Sequence, residues 1–156
     1  MIRRQITSFN PAQPTTDGAG VAIQRVAVMG LSSVDPVLMI DELKSPFRED
    51  FQAGFPAHPH RGMQTLTYML AGGIAHEDSM GNRGEIREGG VQWMSAGSGV
   101  IHSDYIDAEQ AWIWAVRLSF VRESRWPIAW KMGCAWGLDG IIVPILRFIP
   151  ATLASK

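Results

Sequence analysis

Cysteine is almost missing from this chain: Cys134 is the only one in 156 residues. That excludes a framework of disulfides within the chain. An excess of charge is missing too, since 14 Lys and Arg stand against 15 Asp and Glu for a formal net charge of −1. A balance so close to zero argues against a general nucleic-acid binder, which draws on a basic excess to meet phosphates. No direct nucleic-acid binding is expected. Long hydrophobic runs are also absent. Residues 1–20 are polar, hold Pro11 and Pro14, and contain no apolar stretch of signal-peptide type. The most apolar late segment, 136–149, is broken by Asp139, Pro144 and Arg147 and is too short to cross a bilayer as a helix. The expected compartment is the cytoplasm, with no membrane span. Histidine is scarce as well: His58, His60, His76 and His102 are the only four.

What is present is apolar residues and turn formers. The chain is 46% hydrophobic and 19% charged, too apolar for a disordered polymer. Its length suits one domain with a core that needs no staples. Sixteen glycines and nine prolines disfavour a helix bundle and suit short strands joined by turns. Residues 21–28 are rich in β-formers, and 37–40 form a short apolar strand. Residues 41–56, with Pro46, Gly54 and Pro56, read as mostly loop. In 63–70, Thr65, Thr67 and Met69 alternate with Leu66, Tyr68 and Leu70, the period of a strand. Turns at 71–73, 79–84 and 95–99 separate this strand from others at 91–94 and 100–105, and 111–120 is strand-like as well. Regular short strands with glycine turns indicate a sandwich or barrel. Trp93 and Met94 read as core, Arg61 as a brace for the loop after His60, and Cys134 as inert.

The histidines fall in a pattern. His58 and His60 are two apart, as are His102 and Asp104. Side chains two apart on a strand share a face. Two neighbouring strands can therefore turn three imidazoles and one carboxylate toward one point, a mononuclear site for a divalent first-row metal. Pro59 counts against a regular central strand there. His76 reads as a hydrogen-bonding residue of the barrel.

Longer stretches carry a family resemblance. The segments His58-Pro-His-Arg-Gly62, Gly72-Gly73, His76-Glu-Asp-Ser79 and Gly90-Val-Gln-Trp-Met-Ser-Ala-Gly-Ser-Gly-Val-Ile-His-Ser-Asp104 resemble the N-terminal domain of pirin. So do Asp17-Gly-Ala-Gly-Val21 and Asp35-Pro-Val-Leu-Met-Ile-Asp-Glu42. The likeness covers roughly residues 16–105. It implies a cupin: a single-domain, all-β, antiparallel barrel of the double-stranded β-helix type, with a metal in its mouth. The family's ligand positions correspond here to His58, His60, His102 and Asp104, and iron is the metal expected. Bacterial relatives of the family are described as quercetin 2,3-dioxygenases, which open a flavonol ring with O2. The partners so implied are a flat aromatic substrate such as a flavonol, and O2. The carboxylate, Asp104, would be the general base for the flavonol hydroxyl. Animal pirins are described as iron-dependent transcriptional co-regulators, so a non-catalytic, redox-sensing role is the alternative implied.

Three departures qualify the resemblance. Asp104 stands where the family has glutamate, one methylene longer. Gln64 stands where glutamate is commoner, and a neutral amide belongs outside the ligand set. No counterpart of the second cupin domain of pirins is expected within these residues. Residues 1–110 carry a net −5 and one tryptophan, whereas 111–156 carry +4 and five tryptophans. The expected layout is an N-terminal segment 1–15, a pirin-like cupin domain 16–120 and an atypical tail 121–156. A truncated or frameshifted fragment without function is a third reading, and self-association through the exposed tail is expected.

Overall fold

Strand after strand in this chain alternates between residues that need burial and residues that tolerate water, and the fold follows from pairing those faces. The computed structural model describes residues 9, 11–27, 37–106 and 112–121. Ten strands follow in order: β1 (Gln13–Asp17), β2 (Val21–Ala27), β3 (Val37–Ser45), β4 (Phe55–His60), β5 (Met63–Ala71), β6 (Gly73–Asp78), β7 (Arg83–Arg87), β8 (Val91–Ser95), β9 (Val100–Ile106) and β10 (Ile113–Val121). A single 3-10 turn, Arg48–Asp50, separates β3 from β4. β3 runs on to Ser45, so part of the segment expected as loop is strand. The charged residues Asp41 and Glu42 obscured it in the sequence; both are accommodated by cross-strand partners.

Every strand pair is antiparallel. Six strands form one sheet in the order β1-β2-β3-β10-β5-β8, and four form the other in the order β4-β9-β6-β7. The two sheets face one another around a shared core. Ile23, Leu43, Met69, Ile113 and Ala115 from the first sheet meet Phe55, Ile74 and Ile106 from the second, with Phe51 sealing the end. Phe51, Leu43, Met69 and Ile113 are at most 1% exposed. Burial on that scale contributes about 2 kcal/mol per large side chain.

Above this apolar floor the interior becomes polar. Asp41, opposite Arg25 on β2 and Arg117 on β10, accepts hydrogen bonds from Arg25 Nε and Nη2 at 2.8 and 2.9 Å. The fork geometry meets both carboxylate oxygens, so the 3%-exposed Asp41 is buried with its oxygens paired. Arg117 lies with its guanidinium 4.1 Å above the Phe55 ring. The outward face of the same sheet carries a second apolar cluster, Ile40, Val116, Leu118 and Phe120, with Leu66 and Leu70 against it. Trp93 is on that face too, half exposed, stacked on Phe120 and donating Nε1–H to Gln64 at 3.1 Å. Trp93 is therefore not a core residue, although its neighbour Met94 is. The pleat sends adjacent residues to opposite faces, and Met94 is the one that points in.

Three backbones stack beneath the site. Gly54 adopts φ +61° and lies against the carbonyl of Asp104, so that a Cβ there would come within 2.8 Å of that oxygen. Gly18, at φ +59°, packs in turn on the Gly54 carbonyl, and Ala19 N–H donates to that carbonyl at 3.2 Å. Gly54→Ala combines left-handed strain with a backbone clash and is expected to cost about 2 kcal/mol or more. Gly62→Ala has a similar φ of +68° but open space around it, so only the strain of about 1 kcal/mol applies. Thermal or urea unfolding of the two variants measures the difference; equal losses would show that the approach to Asp104 carries no energy.

Candidate metal centre

The site lies on the small sheet. β9 sits between β4 and β6, and its inward row is Val100, His102, Asp104 and Ile106, all buried. On one side His58 of β4 pairs with His102, and His60 with Val100. On the other, His76 of β6 pairs with Asp104. Pro59 is compatible with β4 because that strand is an edge of its sheet, where a missing N–H costs no ladder bond.

Three imidazoles converge. The ring centroids of His58 and His102 are 4.3 Å apart, and those of His60 are 4.9 Å from each of the other two. One ring nitrogen from each of the three lies within 4.8 Å of the others. The hydrogen bonds identify which nitrogen. His58 Nδ1–H donates to the Pro56 carbonyl at 2.7 Å, leaving Nε2 bare. Nε2 of His60 and Nε2 of His102 are both buried with no hydrogen-bond partner. A buried nitrogen left without a partner costs about 1–3 kcal/mol. Two such atoms in one cluster fit a metal ion, which supplies the missing partner, and imidazole nitrogen suits divalent first-row metals.

Asp104 is placed differently. Its Oδ1 accepts from His76 Nδ1–H at 2.8 Å and lies 3.4 Å from His102 Nδ1. It joins His76 and His102 in a second group of metal-capable side chains, sharing His102 with the first. The carboxylate thus stands on the Nδ1 side of the His102 ring, away from the bare Nε2. Burial alone would raise its pKa, but hydrogen bonds from His102 and His76 and the cationic Arg117 outweigh burial and hold it well below the usual carboxylate range. A base role would require those hydrogen bonds to be given up. The hydrogen bond to Asp104 raises the pKa of His76 against the opposing effect of burial. His60 shifts the other way: burial, then the neighbouring His102 and His58 and the Arg117 cation, push it down to about 4. It is neutral at pH 7, its lone pair free.

His76, read from the sequence as a hydrogen-bonding residue of the barrel, bonds Asp104, but Asp78 and Arg117 escaped the reading of the sequence. His76 and Asp78 form a third pair two apart, the same signal as His58 with His60 and His102 with Asp104. Without the β6–β9 register nothing links that pair to the others. Arg117 interrupts an apolar alternating run, a sign of a charge directed inward. Gln64 is on the outer face of the large sheet with Trp93. Arg61 is exposed. Cys134 and nearly all of the tail 121–156 lie outside the described residues, as do most of residues 1–15.

The sequence matches the Pirin family over residues 20–118. The chain belongs to the pirin family. It is 57% identical over 101 residues to a Vibrio cholerae protein named "Putative quercetin 2,3-dioxygenase", covering 65% of this chain and 36% of that one. It is 43% identical over 108 residues to a pirin-like protein of Caulobacter vibrioides, covering 69% and 39%. The chain thus spans well under half the length of these curated relatives. Among solved structures, a quercetin 2,3-dioxygenase from Acinetobacter baumannii superposes with a TM-score of 0.63 at 31% identity, over 74% of this chain and 43% of that one. The bacterial pirin YhhW from Escherichia coli, solved in complex with nickel(II), gives 0.52 at 26% identity, over 72% and 49%. Among the described residues of this pirin domain, no helix is long and apolar enough to cross a membrane.

The His60 shift predicts a pH dependence for the pirin domain without metal. A histidine whose folded pKa lies near 4, below its unfolded value of about 6.5, costs no stability above the unfolded value. Stability then falls as pH drops from about 6.5 to 4, because only the unfolded chain takes up the proton. His76, with its raised pKa, has the opposite sign: its contribution is full below about 6.5 and is lost as pH rises through its folded value. In chelator-treated protein the melting temperature should therefore drop further between pH 7 and 4.5 for the wild type than for His60→Gln. Parallel curves for the two would show that His60 is not held neutral.

Proposed function

We propose that this pirin domain is a metal-dependent dioxygenase of the quercetin 2,3-dioxygenase type, cleaving a flavonol ring with O2 at one divalent first-row metal, with iron as that metal. On this reading the catalytic unit is residues 16–120, followed by the atypical tail from 121. His58, His60 and His102 hold the ion and Asp104 supplies the carboxylate of the site. The observation that carries the reading is the meeting of three imidazoles with two buried, partnerless Nε2 atoms. The relatives named as quercetin 2,3-dioxygenases support the choice of reaction.

The metal, when bound, supplies Lewis acidity toward a substrate oxygen and a meeting point for substrate and O2. The rest falls to the chain. His60, held neutral by its surroundings, presents a lone pair and no competing proton. His58 is locked in one tautomer by the Pro56 carbonyl, which fixes its ring orientation. Met63, Met94, Ala96 and Val100 form an apolar cluster beside His60, as the Val100–His60 pairing requires. Such a wall suits a flat aromatic substrate and limits water. Arg117 sets a fixed positive charge inside the barrel that favours a substrate in its oxyanion form.

The purified 156-residue chain should carry close to one transition-metal ion per molecule by elemental mass spectrometry. With quercetin it should consume O2 and release carbon monoxide. His58→Ala should lower that turnover by about 100-fold or more, in line with removal of a metal ligand. Metal far below stoichiometry even after reconstitution, or turnover indifferent to His58→Ala, would overturn the reading.

A further inference from the structure

The polar groups behind His102 form an ordered chain. β9 offers His102 and Asp104 on one face, and β6 brings His76 opposite Asp104. His76 Nδ1 and His102 Nδ1 are 3.3 Å apart, and both face the same oxygen, Asp104 Oδ1, at 2.8 and 3.4 Å. Two ring nitrogens cannot bond one another if each carries a proton, but both can donate to one carboxylate oxygen. With each ring donating from Nδ1 to that oxygen, His102 Nε2 is left bare, and it is the buried atom found without a partner. On its far side His76 Nε2 lies 3.9 Å from Asp78 Oδ2. Asp78 is anchored in turn by the backbone N–H groups of Met80 and Asn82 and by Asn82 Nδ2. The series Asn82–Asp78–His76–Asp104–His102 ends at the edge of the imidazole cluster.

We propose that Asp104 and His76 are positioning residues: Asp104 acts on the metal through His102 from behind, with His76 holding the carboxylate in place, and the ion itself is bound by His58, His60 and His102. This rests on the metal-binding reading above and departs from a site in which the carboxylate is a ligand. The shorter aspartate accounts for the difference. Its oxygen is already used by two imidazoles, and it does not join the group formed by His58, His60 and His102. A ligating histidine ordinarily donates its other N–H to a carboxylate, which fixes its tautomer and raises its basicity.

Co(II) is the probe, titrated into the full chain against a competing chelator, with the visible absorption bands reporting the donor set. Asp104→Asn and His76→Gln should each weaken Co(II) binding by about 10- to 100-fold while leaving the bands of the loaded site in place. The double variant should be no weaker than Asp104→Asn, because the two residues act in series. Asp104→Asn bands showing a lost ligand would overturn the proposal, as would His76→Gln binding Co(II) like the wild type. Side-chain nitrogen NMR of the metal-free wild type gives a readout independent of any variant's folding. Protons on Nδ1 of both His76 and His102 support the proposal, and a proton on His102 Nε2 overturns it. Wild-type protein that takes up no Co(II) removes the metal reading, and the positioning role with it; the tautomers then report only the hydrogen bonds.

Discussion

The inward row of β9 is the constraint on which the rest of the site depends. One strand, flanked on both sides, delivers His102 to the imidazole cluster and Asp104 to the network behind it, while Val100 and Ile106 close the apolar regions at either end. Period-two geometry does this without any loop. His102 meets His58 across one ladder, and Asp104 meets His76 across the other. A slip of one residue in either pairing would turn both polar residues outward and send Ile101, Ser103 and Tyr105 into the barrel. The register is pinned from beneath, where Gly54 and Gly18 let three backbones approach more closely than any side chain permits. A stable carboxylate position and a close glycine contact are therefore parts of one arrangement.

The barrel interior is layered by chemistry. The apolar floor supplies most of the burial and supports a middle level in which charges are matched inside the protein. Arg25 and Asp41 satisfy one another through two hydrogen bonds. Arg117, across the ladder from Asp41 on β10, balances the carboxylate of Asp104 while opposing any proton on His60. Opposite shifts of His60 and His76 follow from this division. His76 donates Nδ1–H to Asp104 and lies near Asp78, whereas at His60 burial, two other imidazoles and the Arg117 guanidinium outweigh the pull of Asp104. Two histidines of the same barrel are thus given different ground states by their neighbours, one prepared to donate a lone pair and one prepared to hold a proton.

Much of this was legible in the primary sequence. Glycine turns and alternation gave the all-β class and located β2, β5, β8 and β9 closely. The pairs His58 with His60 and His102 with Asp104 announced a shared face, because strand periodicity alone brings residues two apart together. Less legible were β6 and β7, whose charged and small residues look like turn. The extension of β3 past Ile40 was hidden by its acids, and the inward choice between Trp93 and Met94 could not be made from hydropathy.

The division has a physical basis. Local covalent geometry and composition determined what each segment can be: extended, two-faced, and with histidines directed to one side. Which side is inside, and which strands are neighbours, depends on long-range pairing between segments up to tens of residues apart. Only that pairing set Asp104 against His76, left Nε2 of His102 and His60 bare, and placed Arg117 within electrostatic reach of both. The sequence by itself determined that this chain carries a cupin-type barrel with its few histidines spaced to share faces. The tertiary structure decided that its carboxylate stands behind an imidazole, because the β6–β9 register sets Asp104 across the ladder from His76, whose Nδ1–H it accepts.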